Sequence, residues 1–207
     1  MRVDYTKDAL DERLVDPDPY GQFALWFEQA RVAGGVEPNA MTLATANADG
    51  VPTARIVLLK GFDRSGMTFF TSYSSAKGLD ISENPRASLL FYWPALERQI
   101  RLAGSVYQVP REESQAYFEA RPRGSQIAAH LGLQSQVVDG RESLLARFEA
   151  LEAEFGDEPI SPPEWWGGYR LTPSMFEFWQ GRSNRMHDRV RYRLEPPNGW
   201  IIERLGP

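Results

Sequence analysis

Four short stretches of the chain concentrate side chains able to hold an anion or move a proton. In RIVLLK, Arg55 to Lys60, two cations flank Ile-Val-Leu-Leu. Residues five apart on an extended strand project to opposite faces, so Arg55 and Lys60 are expected to serve different neighbours unless the strand twists or bulges. A strand with solvated charged ends fits the same run. In TSYSSAK, Thr71 to Lys77, hydroxyls and a lysine gather at the expected mouth of a helix. Backbone amides there, with Ser and Lys, suit a phosphate, although Ser-rich helix caps are common. In YFEARPRGSQ, Tyr117 and Arg121 stand four apart and share a helix face, with Ser125 just past Pro122 at the expected start of the next helix. Phenol, guanidinium and hydroxyl suit a second phosphate, and equally a solvated surface.

The fourth stretch, FWQGRSNRMHDRVRY from Phe178 to Tyr192, sets His187 among arginines. Read as an extended strand, it alternates Arg185, His187 and Arg189 with Met186 and Asp188, which predicts three basic groups on one face. Such a row is unfavourable unless an anion or carboxylate occupies that side. The only other histidine, His130, sits in the helical segment SQIAAHLG, where a packed or solvated role is expected.

The elements that must position these groups follow from periodicity. DPDPYGQFALWFEQARVAGG predicts a helix started by Asp18-Pro19, with Phe23, Leu25, Trp26, Phe27 and Ala30 as its apolar stripe and Gly34-Gly35 at its end. Before it, residues 1–16 form a polar arm with no clear core face. From Ala40 the pattern becomes three strand-like runs separated by Ala48-Asp49-Gly50 and Asp63-Arg64-Ser65-Gly66, both hairpin chemistry. A short helical crossover, SSAKGLDISENP, leads to two further strands broken at Pro94. Three helical segments follow, the last with Leu144, Leu145, Phe148, Leu151 and Phe155 on one face, then a proline-rich connection. The chain closes in strands, with Asn198-Gly199 as a hairpin turn. Seven or so antiparallel strands with inserted helices predict a mainly β, Greek-key barrel rather than a parallel βαβ sheet.

Composition narrows the chemistry. With 207 residues, 42% hydrophobic and 12% aromatic, the chain can build a substantial core. The absence of cysteine excludes disulfides, thiolate catalysis, iron–sulfur clusters and cysteine-ligated zinc. Two histidines make a histidine-rich metal site unexpected. A formal net charge of −5 argues against a general nucleic-acid binder. No apolar run approaches the roughly 18 to 20 residues of a membrane span and the polar start lacks a secretory core, so a cytoplasmic protein is expected.

RIVLLK, LERQIRLAG, RPRGSQIAAH, WWGGYRL and EFWQGRSNRMHDR, with the closing ERLGP, occur in order between about Asn39 and Pro207. Together they resemble the pyridoxamine 5'-phosphate oxidase family of flavin enzymes in vitamin B6 metabolism. RVDYTK resembles that family's N-terminal arm. The resemblance implies an FMN-binding split β-barrel, a homodimer with FMN at the subunit interface, an arm over residues 1–17 that closes on the site, and one domain over residues 18–207.

It also implies roles by motif. Arg55, Ile56, Val57, Leu58 and Lys60 would line the flavin, with Phe70, Thr71, Lys77, Gln99, Gln134, Ser135, Trp179 and Arg189 as further FMN contacts. Lys60, Tyr117, Arg121 and Ser125 would hold the substrate phosphate, Arg185 and His187 the substrate ring, and Arg2 and Tyr5 would come from the arm. Ala76 departs from the pattern, since a second basic residue commonly precedes the lysine, and this places more weight on Arg55 and Lys77. The implied reaction oxidises pyridoxamine or pyridoxine 5'-phosphate to pyridoxal 5'-phosphate, with dioxygen as final acceptor and hydrogen peroxide as product, and the amine substrate also releases ammonia by hydrolysis of the imine. Another split-barrel flavoprotein, or a non-catalytic carrier of FMN or pyridoxal phosphate, would share the cofactor half of this pattern.

Overall fold

Hairpin turns and helix caps mark the element boundaries of the computed structural model, which describes residues 4–34 and 36–207. Helix α1 (Pro19–Val32) starts where Asp18 accepts the Tyr20 N–H with Pro19 inside the first turn. Four strands follow: β1 (Ala40–Ala46), β2 (Pro52–Leu58), β3 (Gly61–Asp63) and β4 (Gly66–Ser72). Then come α2 (Ala76–Glu83), β5 (Arg86–Trp93), β6 (Arg98–Gln108), α3 (Arg111–Glu119), α4 (Arg123–His130) and α5 (Arg141–Phe155). Strands β7 (Trp166–Gln180), β8 (Asp188–Glu195) and β9 (Gly199–Arg204) end the chain. Gly35, expected at the end of α1, lies outside the described residues.

The strands form one antiparallel sheet in the order β2-β1-β5-β6-β7-β4-β3, with β8 on β7 and β9 on β8. The middle run of the first three expected strands is two strands, which brings the total to nine. Its halves, β2 and β3, are consecutive in sequence yet lie at opposite ends of this order, so the chain between them closes the barrel. Leu59 N–H donates to Asn39 O at 2.8 Å and Lys60 N–H to Thr68 O at 2.9 Å, tying the closure to both sides. Strand β7 is long enough to change neighbours: Trp166–Ser72 to Leu171–Met67 pair with β4, whereas Met175 to Gln180 pair with β8. The split falls beside Pro173, where β7 carries a bulge: Met175 pairs with Ala103 and Pro173 with Gly104, which leaves Ser174 as the extra residue. A Cβ on Gly104 would stand 2.0 Å from Thr172 O, so the close approach requires glycine.

The barrel interior is aromatic. Phe23, Phe69, Phe91, Phe176, Phe178 and Tyr192 are fully buried, and truncating any one of the phenylalanines is expected to cost about 3–5 kcal/mol. Phe23, Trp26 and Ala30 of α1 face this core, but Leu25 of the expected stripe is exposed, because the buried positions follow a three-to-four spacing that leaves it on the outer side. A second cluster of Phe118, Ile127, Ile160 and Trp166 lies under α3 to α5. There Phe148, Leu151 and Phe155 pack as expected, while Leu145 points outward.

The N-terminal arm does have a core face. Leu10 is buried and its N–H donates to Asp188 Oδ2 at 3.1 Å, while Asp8 pairs with the buried Arg98 at 2.5 Å. Among the described residues, no helix is long and apolar enough to cross a membrane.

Candidate functional site

A cavity of about 530 Å³ opens between β2, β4, α2, α3 and α4. Its lining brings together Arg55, Ile56, Val57, Leu58, Lys60, Phe70, Thr71, Lys77, Tyr117, Arg121, Ser125 and Gln134, with Pro122 and Trp166. Arg55 and Lys60 thus share a cavity despite their odd spacing. The reason is local: β2 ends at Leu58, and Lys60 lies in the closing link before β3, where the two-residue alternation no longer applies. Among the described residues, four cations line this space and no carboxylate does.

Lys77 is buried, and among the described residues its Nζ reaches only neutral oxygens: Ser75 Oγ at 3.1 Å, Thr71 Oγ1 at 3.2 Å and Gln134 Oε1 at 3.2 Å. Burial, then the charge of Arg55, pulls its amine down to about 8. Burial also lowers the Arg55 guanidinium, against the favourable field of Asp80. Lys77 is therefore short of negative charge, and Arg55 has only Asp80 at 3.8 Å, a condition that a phosphate dianion would relieve.

The other cations surround an aromatic stack. Tyr117 lies on Phe70 with ring centroids 3.9 Å apart, and Trp166 is parallel to both. The Arg121 guanidinium sits 4.7 Å over Trp166, and its Nη1 is buried with no hydrogen-bond partner among the described residues. Desolvation lowers its pKa. An orphaned buried guanidinium nitrogen is costly unless a ligand accepts from it. Lys60 Nζ stands 5.9 Å from the Tyr117 ring, and Ser125 sits in the first turn of α4. These donors fit a phosphoester, so the cavity has places for two.

A second group of the expected residues lies elsewhere. Gln99, Trp179 and Arg189 are in register across β6, β7 and β8. Arg189 donates through Nε to the buried Glu177 at 2.8 Å and through Nη1 to Gly206 O at 3.0 Å, so the closing tail holds it. The His187 ring lies 4.6 Å from Trp179, and its Nδ1 accepts the Arg182 N–H at 3.1 Å. Neutral His187 then carries its proton on Nε2. Tyr5 meets Trp179 edge-on at 5.8 Å.

The expected row of three basic groups on one strand is not formed. Arg185 belongs to a short 3₁₀ turn, Ser183–Arg185, with φ of +61°, and β8 begins only at Asp188. Asn184, also at positive φ, turns the chain before the strand can start. Arg185 is exposed, Ser135 is exposed at φ +71°, and neither lines the cavity. Arg2 lies outside the described residues. His130 contacts Ser161 O at 2.8 Å and the Phe155 ring, away from this cavity.

Trp166 lines the cavity although no sequence expectation placed it in the site, because a tryptophan beside Gly167-Gly168 carries no signal of whether it will pack in a core or face a ligand. A neighbouring cavity of about 400 Å³ shares Phe70, Thr71, Arg121, Gln134 and Trp166 but brings no further cation.

Residues 28–154 match the family model described as pyridoxamine 5'-phosphate oxidase, and residues 166–207 match that of the pyridoxine 5'-phosphate oxidase C-terminal dimerisation region. The chain is 54% identical over 207 residues to a pyridoxine/pyridoxamine 5'-phosphate oxidase of Cupriavidus taiwanensis, covering 100% of this chain and 97% of that one. Among solved structures it is similar to PhzG of Burkholderia lata in complex with tetrahydrophenazine-1-carboxylic acid, with a TM-score of 0.89 and 31% identity over 97% of this chain and 98% of that one. It shares its fold with a pyridoxamine 5'-phosphate oxidase-related, FMN-binding protein of Nostoc punctiforme, with a TM-score of 0.73 and 20% identity over 94% and 99% of the two chains.

Proposed function

The chain belongs to the pyridoxamine 5'-phosphate oxidase family, and on that premise we propose that its cationic cavity holds FMN and the substrate phosphate side by side. The protein is an FMN-dependent oxidase of pyridoxine 5'-phosphate and pyridoxamine 5'-phosphate, and it acts as a homodimer in the cytoplasm. The observation that carries the cavity's role is four cations with no carboxylate in its lining, in a chain of net charge −5.

Bound FMN would supply the redox chemistry, carrying two electrons and two protons from the substrate to dioxygen to give hydrogen peroxide, with water releasing ammonia when the substrate is the amine. The side chains do the rest. Arg55, Lys77, Thr71 and Gln134 hold the FMN phosphate, and Ile56, Val57, Leu58 and Phe70 give the flavin its apolar wall. Lys60, Tyr117, Arg121 and Ser125 hold the substrate phosphate, with Arg121 offering the nitrogen that has no other acceptor. Each phosphoester is gripped at one end, which orients the ring it carries.

Arg185 and His187 complete the site at the substrate ring. Arg185 offers a planar fork, and neutral His187 offers the Nε2–H, its Nδ1 being taken by Arg182. In one protomer these two, with Gln99, Trp179 and Arg189, stand apart from the cavity lining. A two-fold dimer that sets this face of one copy against the cavity of the other brings both halves to one FMN at the interface, with Ser135 at its edge. Residues 1–17 then serve as an arm over a body of residues 18–207, with Arg2 and Tyr5 closing on the substrate.

The test is to purify the protein, record its visible spectrum for flavin, add pyridoxamine 5'-phosphate in air, and follow pyridoxal 5'-phosphate and hydrogen peroxide together. Formation of the two in equal amounts is expected. Bound flavin with neither product would overturn the proposal.

A further inference from the structure

One carboxylate stands beside the cavity without lining it. Asp80 follows Lys77 by three residues on α2, and its side chain is 14% exposed. Its Oδ2 accepts the hydroxyls of Thr45 at 2.6 Å and Thr53 at 2.7 Å, two residues that face each other across β1 and β2. Each hydroxyl has one proton to donate, so both oxygens are left as acceptors. Arg55 uses both of them: Nη1 donates to Thr45 Oγ1 at 2.6 Å and Nη2 to Thr53 Oγ1 at 2.5 Å, while Nη1 also reaches Leu43 O at 3.3 Å. The direct Arg55 Nη2 to Asp80 Oδ2 distance is 3.8 Å. The two hydroxyls also lie 3.1 Å apart; with both donating to Asp80, their oxygens accept from Arg55 and the chain of donors runs from guanidinium through the hydroxyls to the carboxylate.

We propose that Asp80, acting through Thr45 and Thr53, is the positioning residue that aims Arg55 into the FMN phosphate site, an inference that rests on reading the cavity as the FMN site. A direct bidentate carboxylate would occupy the guanidinium fork and cancel its charge locally. The hydroxyl relay fixes Nη1 and Nη2, and no described residue accepts from Nε. It also holds Arg55 close to Lys77, two cations that repel until an anion arrives. With alanine at position 76, no second cation precedes Lys77 on α2, and more of the grip falls on Arg55.

The sign of the effect separates positioning from plain electrostatics. A carboxylate near a phosphate repels it, so if charge alone mattered, removing Asp80 would tighten FMN binding. Positioning predicts the opposite. Flavin-free wild type, Asp80→Ala, Asp80→Asn and the double variant Thr45→Val with Thr53→Val would be titrated with FMN and with riboflavin by flavin fluorescence quenching, each first checked for folding by circular dichroism. We expect Kd for FMN to rise about tenfold in Asp80→Ala and in the threonine double variant, roughly the worth of one hydrogen bond to a charged group. Riboflavin, which lacks the phosphate, is expected to stay within about twofold. Thr45→Ser with Thr53→Ser keeps both hydroxyls and is expected to bind FMN as wild type does. An unchanged or tightened FMN affinity in whichever of the Asp80 and valine variants fold overturns the inference. A wild type that binds riboflavin as well as FMN would instead overturn the reading of the cavity.

Discussion

Arg121 lies half-buried over Trp166, its Nη1 buried with no acceptor among the described residues, whereas Arg185 stands exposed in a turn at φ +61°. Both are arginines assigned to one substrate, and they are built in opposite ways. Three of the cavity's cations, Arg55, Lys77 and Arg121, sit on or just beside strands and helices, their charges already partly desolvated before any ligand arrives. The groups assigned to the substrate ring sit in and around a turn, where a positive φ costs a non-glycine residue about 1–2 kcal/mol. A phosphate has fixed charge and shape, so a preorganised, partly dehydrated cradle suits it. The reacting ring must enter, turn over and leave, which suits groups that are exposed until a second surface covers them.

The comparison breaks first at Arg121. Its replacement by alanine removes one of the two cations assigned to the substrate phosphate, leaving Lys60 alone with two hydroxyls, and is expected to lower kcat/KM for pyridoxamine 5'-phosphate by about 10²- to 10³-fold, chiefly through KM. FMN affinity in the same variant is expected to stay within about threefold, because the FMN phosphate is assigned to Arg55 and Lys77. Steady-state kinetics with a flavin titration measures both. Equal losses of substrate and FMN binding would mean that the two phosphate positions are not separate.

Arg185 gives the sharper contrast. Arg185→Lys keeps the charge and loses the planar fork, so turnover is expected to fall about 30-fold with FMN binding unchanged. Rapid-mixing measurement of flavin reduction under anaerobic conditions would isolate the step. Unchanged steady-state kinetics would remove Arg185 from the ring site.

Much of this arrangement was legible in the sequence, and what was not has physical causes. Asp49-Gly50, Ser65-Gly66 and Asn198-Gly199 announce hairpins because only certain residues tolerate their backbone angles, and the structure turns at each, with positive φ at all three glycines. The cations of the cavity were legible as residue types at fixed spacings. The Arg185 turn was not, because Arg-x-His-x-Arg alternates like a strand and the break depends on Asn184 taking a left-handed conformation. Nor was the division of β2 from β3, since RIVLLKGF reads as one continuous run and only barrel closure decides where it parts. The carboxylates that hold arginines, Asp80 for Arg55 and Glu177 for Arg189, were silent for the same reason: their partners come from other strands. The separation of the site into two groups in one protomer is likewise a property of the folded surface, not of spacing.

Lys77 offers the smallest test, through pH. Its amine, buried and beside Arg55, is pulled down to about 8 in the flavin-free protein. A lysine whose folded pKa is lowered binds fewer protons than the unfolded chain between about 8 and the ordinary lysine value of about 10.4. The flavin-free protein therefore gains stability from this group as pH rises through that window. FMN binding runs the other way. Above pH 7 the phosphate is already close to a dianion, its second pKa being about 6, so the ligand contributes little further change. The lysine must carry its proton to meet it, and FMN affinity is expected to fall about tenfold between pH 7 and pH 9 as the neutral amine takes over. Lys77→Met is expected to bind FMN more weakly at pH 7 and to show a flat profile across the same range. Riboflavin titrations provide the control, because a ligand without phosphate has no stake in the charge of Lys77. A wild-type FMN affinity that does not vary with pH would mean that the cradle's cations are not dehydrated before the phosphate arrives, and would erase the difference between the two halves of the site.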